Sequence, residues 1–454
     1  MPEQTKHPHL SVTDGVLLIV GLVVGISILR APSSIAAQTS SPTAMMWAWL
    51  LGGLLALCGA FCYAQLARAH PDNGGEYTYL RRSVGEAAAF LFAWTRMTVL
   101  QTGSIAAAAF IYGDYASKLW PLGPSSPLVH ATYAVIALTV VNALGLHLGR
   151  TAQNVLTVAK VAGLAAVFVA GMGATATASP HLPPAASMPA HPAFGLAMVF
   201  VLYAYGGWNE ASYLAGDIKR GSRGIAGVLF ISTLCIFVIY ALINVAYLRA
   251  LGFDGLRNST APASDVMSLA FGKPGEVLLA LLAAVIALGS ANATTFTGSR
   301  AIHALGITHR SLRWLSAVHP TRHAPLNAFI AQGAAATAIV LAAGLLGESG
   351  RHGFEVAVEY TAPAFWGFMA LIGLVALGMA LRHQGGAARK LGFLVAATVF
   401  TGICGYMLHS SVAYAGAGAV LSLAIVAAGI PVYVLVRALD ARSGVPAPES
   451  AKVQ

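Results

Sequence analysis

The 454-residue chain is 57% hydrophobic and only 9% charged, with a mean hydropathy of +0.72, whereas a soluble globular chain carries about a quarter charged residues. That composition excludes a water-soluble enzyme or binding module and makes the lipid bilayer the solvent. The net charge of +10 comes from Lys and Arg spread thinly between apolar stretches, so it reads as a topology signal and no nucleic-acid partner is expected.

A spanning helix needs roughly 20 mostly apolar residues, and by that measure the sequence predicts an all-α integral membrane protein with twelve transmembrane helices. After a cytoplasmic tail over 1–13, the expected segments are 14–38, 44–69, 85–117, 127–147, 151–174 and 194–216. They continue with 225–250, 273–304, 325–346, 354–381, 389–410 and 414–438, followed by a tail over 439–454. The polar start MPEQTKHPHLSVTDG lacks the layout of a cleaved signal peptide, so the first segment is expected to be retained. With both termini in the cytoplasm, 18 of the 26 Lys and Arg residues fall inside, 5 outside and 3 within helices, as the positive-inside rule requires. The linker TATASPHLPPAASMPAHP over 174–192 reads as a flexible spacer.

Two segments look broken. The first contains Val24-Gly25-Ile26-Ser27 with Pro32 following, and the sixth contains Tyr205-Gly206-Gly207-Trp208-Asn209. Glycine also packs helices closely, so either break alone is weak. The two are, however, the first members of two five-helix halves, 14–174 and 194–381. Interrupted helices at matched positions of an inverted repeat point to a binding site at the midplane.

An unwound backbone persists in lipid only where its polar groups meet a cavity or a ligand. The N–H groups of Gly25, Ile26, Ser27 and Ile28, at the start of the second half-helix, suit a carboxylate. Carbonyls around Tyr203, Ala204 and Gly206 suit an ammonium. Together they would read an α-amino acid by its backbone alone.

Three charges lie deep in apolar segments. Lys160, in TVAKVAGLAAVFVAG, is either a functional group or a snorkelling lysine. Arg96, in FAWTRMTVL, reads as a helix-pairing charge, and Glu210 either faces the cavity or pairs with a basic residue at the cytoplasmic side. Cys58, Cys62, Cys235 and Cys404 all lie in apolar segments without metal-like neighbours, so packing roles are expected, with no disulfide, metal or cofactor. No nucleophile–base pair, metal spacing or nucleotide loop argues for an enzyme. No continuous polar ring argues for a channel.

Five blocks in order, PDNGGEYTYL (71–80), QNVLTVAKVAGL (153–164), YAYGGWNEASYLAGDIK (203–219), INVAYL (243–248) and GSANATTFTGSR (289–300), resemble the amino acid–polyamine–organocation (APC) superfamily, and within it the L-type amino acid transporters. The resemblance runs through the tenth segment. It implies a LeuT-type 5+5 inverted repeat with two extra helices (389–438) and sodium-independent exchange or facilitated transport of amino acids by alternating access.

By position in those blocks, Tyr203 matches an aromatic that closes over substrate and Asn209 a supporting polar residue. Lys160 matches a lysine standing where coupled relatives hold sodium, with Ser290 and Thr294 as expected neighbours and the carbonyls freed at Val24 and Gly25 as its expected acceptors at the first break. Gly25-Ile26-Ser27 departs from the family's Gly-Ser-Gly, and the branched Ile26 restricts the unwound backbone. Gly206 occupies the place where cation-selective members carry Asp, which favours neutral L-amino acids. Alternatives within the superfamily are a proton-coupled symporter and a polyamine carrier. The loop LWPLGPSSP (119–127) lacks the cysteine to which a heavy chain is attached in animal members, so no disulfide-linked partner and a bacterial inner membrane are expected.

Overall fold

A computed structural model describes residues 10–25, 27–70, 74–174, 194–219, 221–259, 261–319, 324–345, 350–415 and 417–442. Ile26, nearly all of the 174–192 linker, and most of both tails lie outside these residues. In chain order the helices are α1 (Val12–Val23), α2 (Ser27–Ala37), α3 (Pro42–Ala69), α4 (Glu76–Ser83), α5 (Glu86–Thr95), α6 (Gln101–Leu119), α7 (Ser126–Leu144) and α8 (Leu146–Gly173). The second half holds α9 (Phe194–Tyr205), α10 (Gly221–Asn258), α11 (Pro262–Phe271), α12 (Lys273–Thr308), α13 (Leu326–Leu345), α14 (Gly350–Leu381), α15 (Ala387–Ala415) and α16 (Ala417–Arg442). Eight of the helices are long and apolar enough to cross a membrane, and α1 with α2 forms a ninth candidate bent by 50° at its break.

The expected segments 85–117, 194–216 and 325–346 are helical but fall short of that measure, for reasons visible in their residues. The first is interrupted by a π turn over Arg96–Leu100, where Arg96, and Gln101 directly after the turn, enter the apolar run. The second ends as an α-helix at Tyr205 and resumes as a 3₁₀ turn over Trp208–Leu214. The third is a shorter apolar helix over Leu326–Ala342. Two short helices, α4 and α11, were not expected, because each is too short to leave an apolar period.

Local chemistry sets the ends. Ser11 and Asp14 form a reciprocal capping box that starts α1. Asp14 also accepts a hydrogen bond from Asn154 at 2.9 Å and lies 3.6 Å from Arg150, which fastens α1 to α8. Leu10 pairs with Ile218 as a parallel bridge through Leu10 N–H to Asp217 O (3.0 Å) and Lys219 N–H to Leu10 O (2.9 Å). Asp217 in turn meets Arg300 of α12 at 2.8 Å. The end of the sixth segment is thereby clasped between the chain start and α12.

One apolar core runs between the halves, with α10 along α3, α12 along α6 and α8, and α14 along α15. At its centre Trp49, Tyr205 and Tyr240 meet edge-on or tilted, with centroids 5.1 to 5.9 Å apart, the geometry aromatic rings prefer. Close approach elsewhere relies on glycine: a Cβ on Gly113 of α6 would lie 2.2 Å from the carbonyl oxygen of Pro127 in α7. That obstacle is backbone and cannot rotate away. Gly113→Ala is expected to cost about 1–3 kcal/mol as overpacking, lowering thermal stability in detergent. Gly378→Ala, whose Cβ would meet nothing within 4 Å, should leave stability unchanged or raised.

Candidate functional site

The two breaks face each other across a cavity of about 250 Å³. Leu22, Val23, Gly25 and Ser27 line it from the first break, and Tyr203, Ala204, Gly206 and Gly207 from the second. Ser104, Ala107, Ala108 and Ile111 of α6, Ala287, Ser290 and Thr294 of α12, and Phe365 and Trp366 of α14 also line it, as do Arg96, Gln101, Asn209 and Glu210. Of the residues expected around a substrate, Gly25, Ser27, Tyr203, Ala204, Gly206 and Asn209 line this cavity. Ile28 is fully buried and does not line it, and Ile26 lies outside the described residues.

Glycine is required at the second break. Gly207 has φ +109°, and a Cβ there would lie 2.5 Å from Leu22 Cδ2, so the two breaks approach each other through a position with no side chain. Tyr240 of α10, a residue the sequence reading did not single out, bridges them. Its hydroxyl lies 2.9 Å from the carbonyl of Val23 and 3.0 Å from that of Ala204, with the ring fully buried. The Tyr203 carbonyl accepts the Gly206 N–H at 3.1 Å. Of the carbonyls expected to be free for an ammonium, that of Tyr203 thus already has one partner and that of Ala204 shares the single Tyr240 O–H with Val23, and each oxygen keeps a further lone pair.

Lys160 is fully buried in α8, which is not the geometry of a snorkelling side chain. Its Nζ donates to the carbonyl of Gly21 in the last turn of α1 and to Ser290 Oγ at 3.3 Å. The acceptor on α1 is therefore one turn before the carbonyls of Val24 and Gly25 that the sequence pointed to. Thr294 lines the cavity without bonding the lysine; its carbonyl accepts from Gln332 at 3.4 Å. A Cβ on Gly25 would be 3.5 Å from Ser290 Oγ, so Lys160, Ser290 and the first break form one contiguous unit.

At another side of the cavity lies a charged cluster that the sequence reading left unassembled. Arg96 grips Glu210 with both terminal nitrogens, at 2.9 and 2.8 Å, and reaches Glu76 at 3.3 Å. Gln101 donates to both Glu210 oxygens at 3.3 and 3.2 Å. Glu76 further accepts from Tyr63 (2.6 Å), Tyr213 (2.7 Å) and Asn209 (2.8 Å), and the Arg96 guanidinium stacks over the Tyr213 ring at 4.3 Å. Of the two readings of Glu210, the structure shows the one that faces the cavity; its base is Arg96, which lines the same cavity, not a residue at the cytoplasmic side. Asn209 supports the site by holding Glu76. The π turn is the local device that turns Arg96 and Gln101 inward, a common use of such bulges. The signals were present: Glu76 lies in the PDNGGEYTYL block, and an acid in an apolar fold needs a named partner.

A helical membrane protein with facing helix breaks around a small polar-and-aromatic cavity is a transporter by class. Comparison with known proteins specifies it: residues 10–436 match the amino acid permease family model. The chain belongs to that family, within the APC superfamily. It is 29% identical over 382 residues to the b(0,+)-type amino acid transporter 1 of Mus musculus, covering 81% of this chain and 76% of the relative. It is 27% identical over 332 residues to the serine/threonine exchanger SteT of Bacillus subtilis, covering 71% and 74%. These relatives are named as transporters, not as enzymes.

Removing Arg96 would leave two buried carboxylates unpaired, a loss of about 3–5 kcal/mol. Arg96→Met should therefore abolish recovery of folded protein from membranes. Arg96→Lys, which keeps the charge but cannot grip a carboxylate with two nitrogens, should give an intermediate thermal stability; size-exclusion recovery and melting in detergent check both.

Proposed function

We propose that this protein is a sodium-independent secondary transporter of neutral L-amino acids, working as an exchanger or facilitator by alternating access. The observation that carries the reading is that both helix breaks open into one cavity. In this reading the chain has twelve spans, with five-helix repeats over 14–174 and 194–381 and a final pair over 389–438. The substrate carboxylate meets the N–H groups of the first break around Gly25 and Ser27, the ammonium meets the remaining lone pairs at Tyr203 and Ala204, and the Tyr203 ring closes over it. The relative named as a serine/threonine exchanger supports exchange and a small neutral substrate.

Lys160 supplies a fixed positive charge, bonded to Gly21 and Ser290, at a place where a cation would otherwise join the first break to α12. That arrangement supports independence from sodium. The distribution of Lys and Arg supports cytoplasmic termini in a bacterial inner membrane, and the cysteine-free 119–127 loop supports a subunit without a disulfide-linked heavy chain. Gly206 supports selectivity against cationic side chains.

Uptake into proteoliposomes tests the reading. Serine or leucine should enter at rates unaffected by replacing sodium with another monovalent cation, and arginine should not match them. A collapse on sodium replacement removes the role given to Lys160. Lys160→Ala should lower turnover about tenfold, equal to about 1.4 kcal/mol on the barrier, while substrate affinity changes by less than about threefold, under 0.7 kcal/mol. Tyr203→Ala should instead weaken affinity, because it removes the aromatic cover. Paired binding and flux measurements separate the two outcomes.

A further inference from the structure

A line of buried amide and hydroxyl side chains lies behind α1, apart from both the cavity and the charged cluster. Asn142 of α7, Asn292 of α12, and Gln153 and Thr157 of α8 are all 0–1% exposed. Asn142 Nδ2 donates to Asn292 Oδ1 (2.7 Å), Asn292 Nδ2 to Gln153 Oε1 (2.9 Å) and Gln153 Nε2 to Thr157 Oγ1 (3.2 Å). Thr157 Oγ1 then donates to the carbonyl of Leu17 in α1 at 3.0 Å. Every bond runs in the same donor-to-acceptor sense, so each polarises the next, and the line ends on the backbone of α1. The second amide hydrogens are used as well: Asn142 also donates to the carbonyl of Leu138 (2.8 Å) and Asn292 to that of Gly149 (3.4 Å). The relay fixes α7, α8 and α12 to one another and presents a hydroxyl to the broken segment.

That hydroxyl is placed unlike many others in the helices. Thr132, Thr233 and Thr295 turn back to the carbonyl four residues before, at 2.7–2.8 Å, the usual bond of a threonine inside a helix. Thr157 instead reaches across to α1, and the approach depends on glycine: a Cβ on Gly21 would lie 2.0 Å from Thr157 Oγ1 and 2.3 Å from Gln153 Nε2. The bond sits between two others, Asp14 with Asn154 (2.9 Å) before it and the Gly21 carbonyl with Lys160 after it. Positions 14, 17 and 21 of α1 thus meet 154, 157 and 160 of α8, spacings of three and four that keep one face of each helix together.

We propose that Thr157 is a positioning residue for transport, whose hydroxyl latches the first half of the broken segment to α8 and lets it go in each cycle.

The latch is reversible because neither of its states strands a polar group. When α1 moves off, the Thr157 hydroxyl rotates and donates to the carbonyl of Gln153, four residues before it, as the other threonines do. The Leu17 carbonyl keeps the bond it accepts within α1 from the Gly21 N–H. Asn142, Asn292 and Gln153 keep their bonds to one another, so the relay stays with α7, α8 and α12 while α1 alone is released.

The inference rests on the alternating-access reading. Its test is serine transport in proteoliposomes that hold the protein in one orientation, with half-saturation measured from each face. Thr157→Val keeps the shape of the side chain and removes the hydroxyl. With α1 freed from α8, the state open on the side of the N-terminus gains population. The half-saturating serine concentration on that face, divided by that on the opposite face, should fall by about two- to tenfold, the size of one hydrogen bond. Thr157→Ser should restore the ratio. Gln153→Met, which leaves the hydroxyl in place but cuts it off from Asn292, should shift the ratio in the same sense by less, and decides the matter if Thr157→Val is not recovered folded. A purely structural role would lower the melting temperature of Thr157→Val and leave the ratio unchanged. That result, or a shift in the opposite sense, overturns the latch and leaves the transport reading standing. If the unmodified protein moves no neutral amino acid, the transport reading falls and the latch with it.

Discussion

Backbone groups freed at two points inside an apolar bundle are the constraint around which the rest is arranged. Each unpaired, buried N–H or C=O costs about 1–3 kcal/mol, so α1 and α9 can stop short of their full spans only if something else answers those groups. The answer is partly built in. Tyr240 places one hydroxyl between the carbonyls of Val23 and Ala204, and Gly207 lets the breaks approach without a side chain between them. The cavity between them is lined by Gly25 and Ser27 from the first break and by Tyr203, Ala204 and Gly206 from the second.

Two ionic devices flank that cavity and fasten the breaks to different parts of the bundle. On one side Lys160 joins the end of α1 to Ser290 of α12. On the other, the 3₁₀ turn after Gly207 carries Asn209, Glu210 and Tyr213 into the cluster with Glu76 and Arg96, which ties it to α3, α4 and the π turn. A further clasp, Leu10 with Ile218 and Asp217 with Arg300, holds the far end of that same segment. The broken segments are thus held at their tips by polar contacts and along their apolar faces by the core.

Much of this was legible in the sequence. Long apolar runs gave most helices to within a few residues, because a span leaves an unmistakable composition. Gly25 and the Gly206-Gly207 pair marked the breaks, and Lys160 was singled out because charge inside a membrane is costly. The cluster was not legible, because Glu76, Arg96 and Glu210 are 20 to 134 positions apart in the chain and only the fold brings Glu76 on α4 to Glu210. Arg96 looked like an ordinary pairing charge until the π turn, which has no sequence period of its own, rotated it inward. Tyr240 was hidden for another reason: in an apolar segment a tyrosine reads as packing unless the carbonyls it reaches are known. The expected bonds from Lys160 to Val24 and Gly25 missed by one turn, since α1 ends at Val23 and its last exposed carbonyls begin at Gly21.

The central claim is that the two breaks read the substrate's backbone, and an experimental structure with a neutral amino acid bound tests it most directly. The account predicts the carboxylate within hydrogen-bond distance of the N–H groups of the first break around Gly25 and Ser27 and the ammonium against the carbonyls of Tyr203 or Ala204, under the Tyr203 ring. An amino acid resolved elsewhere, with the breaks occupied by water or by protein side chains, would contradict it.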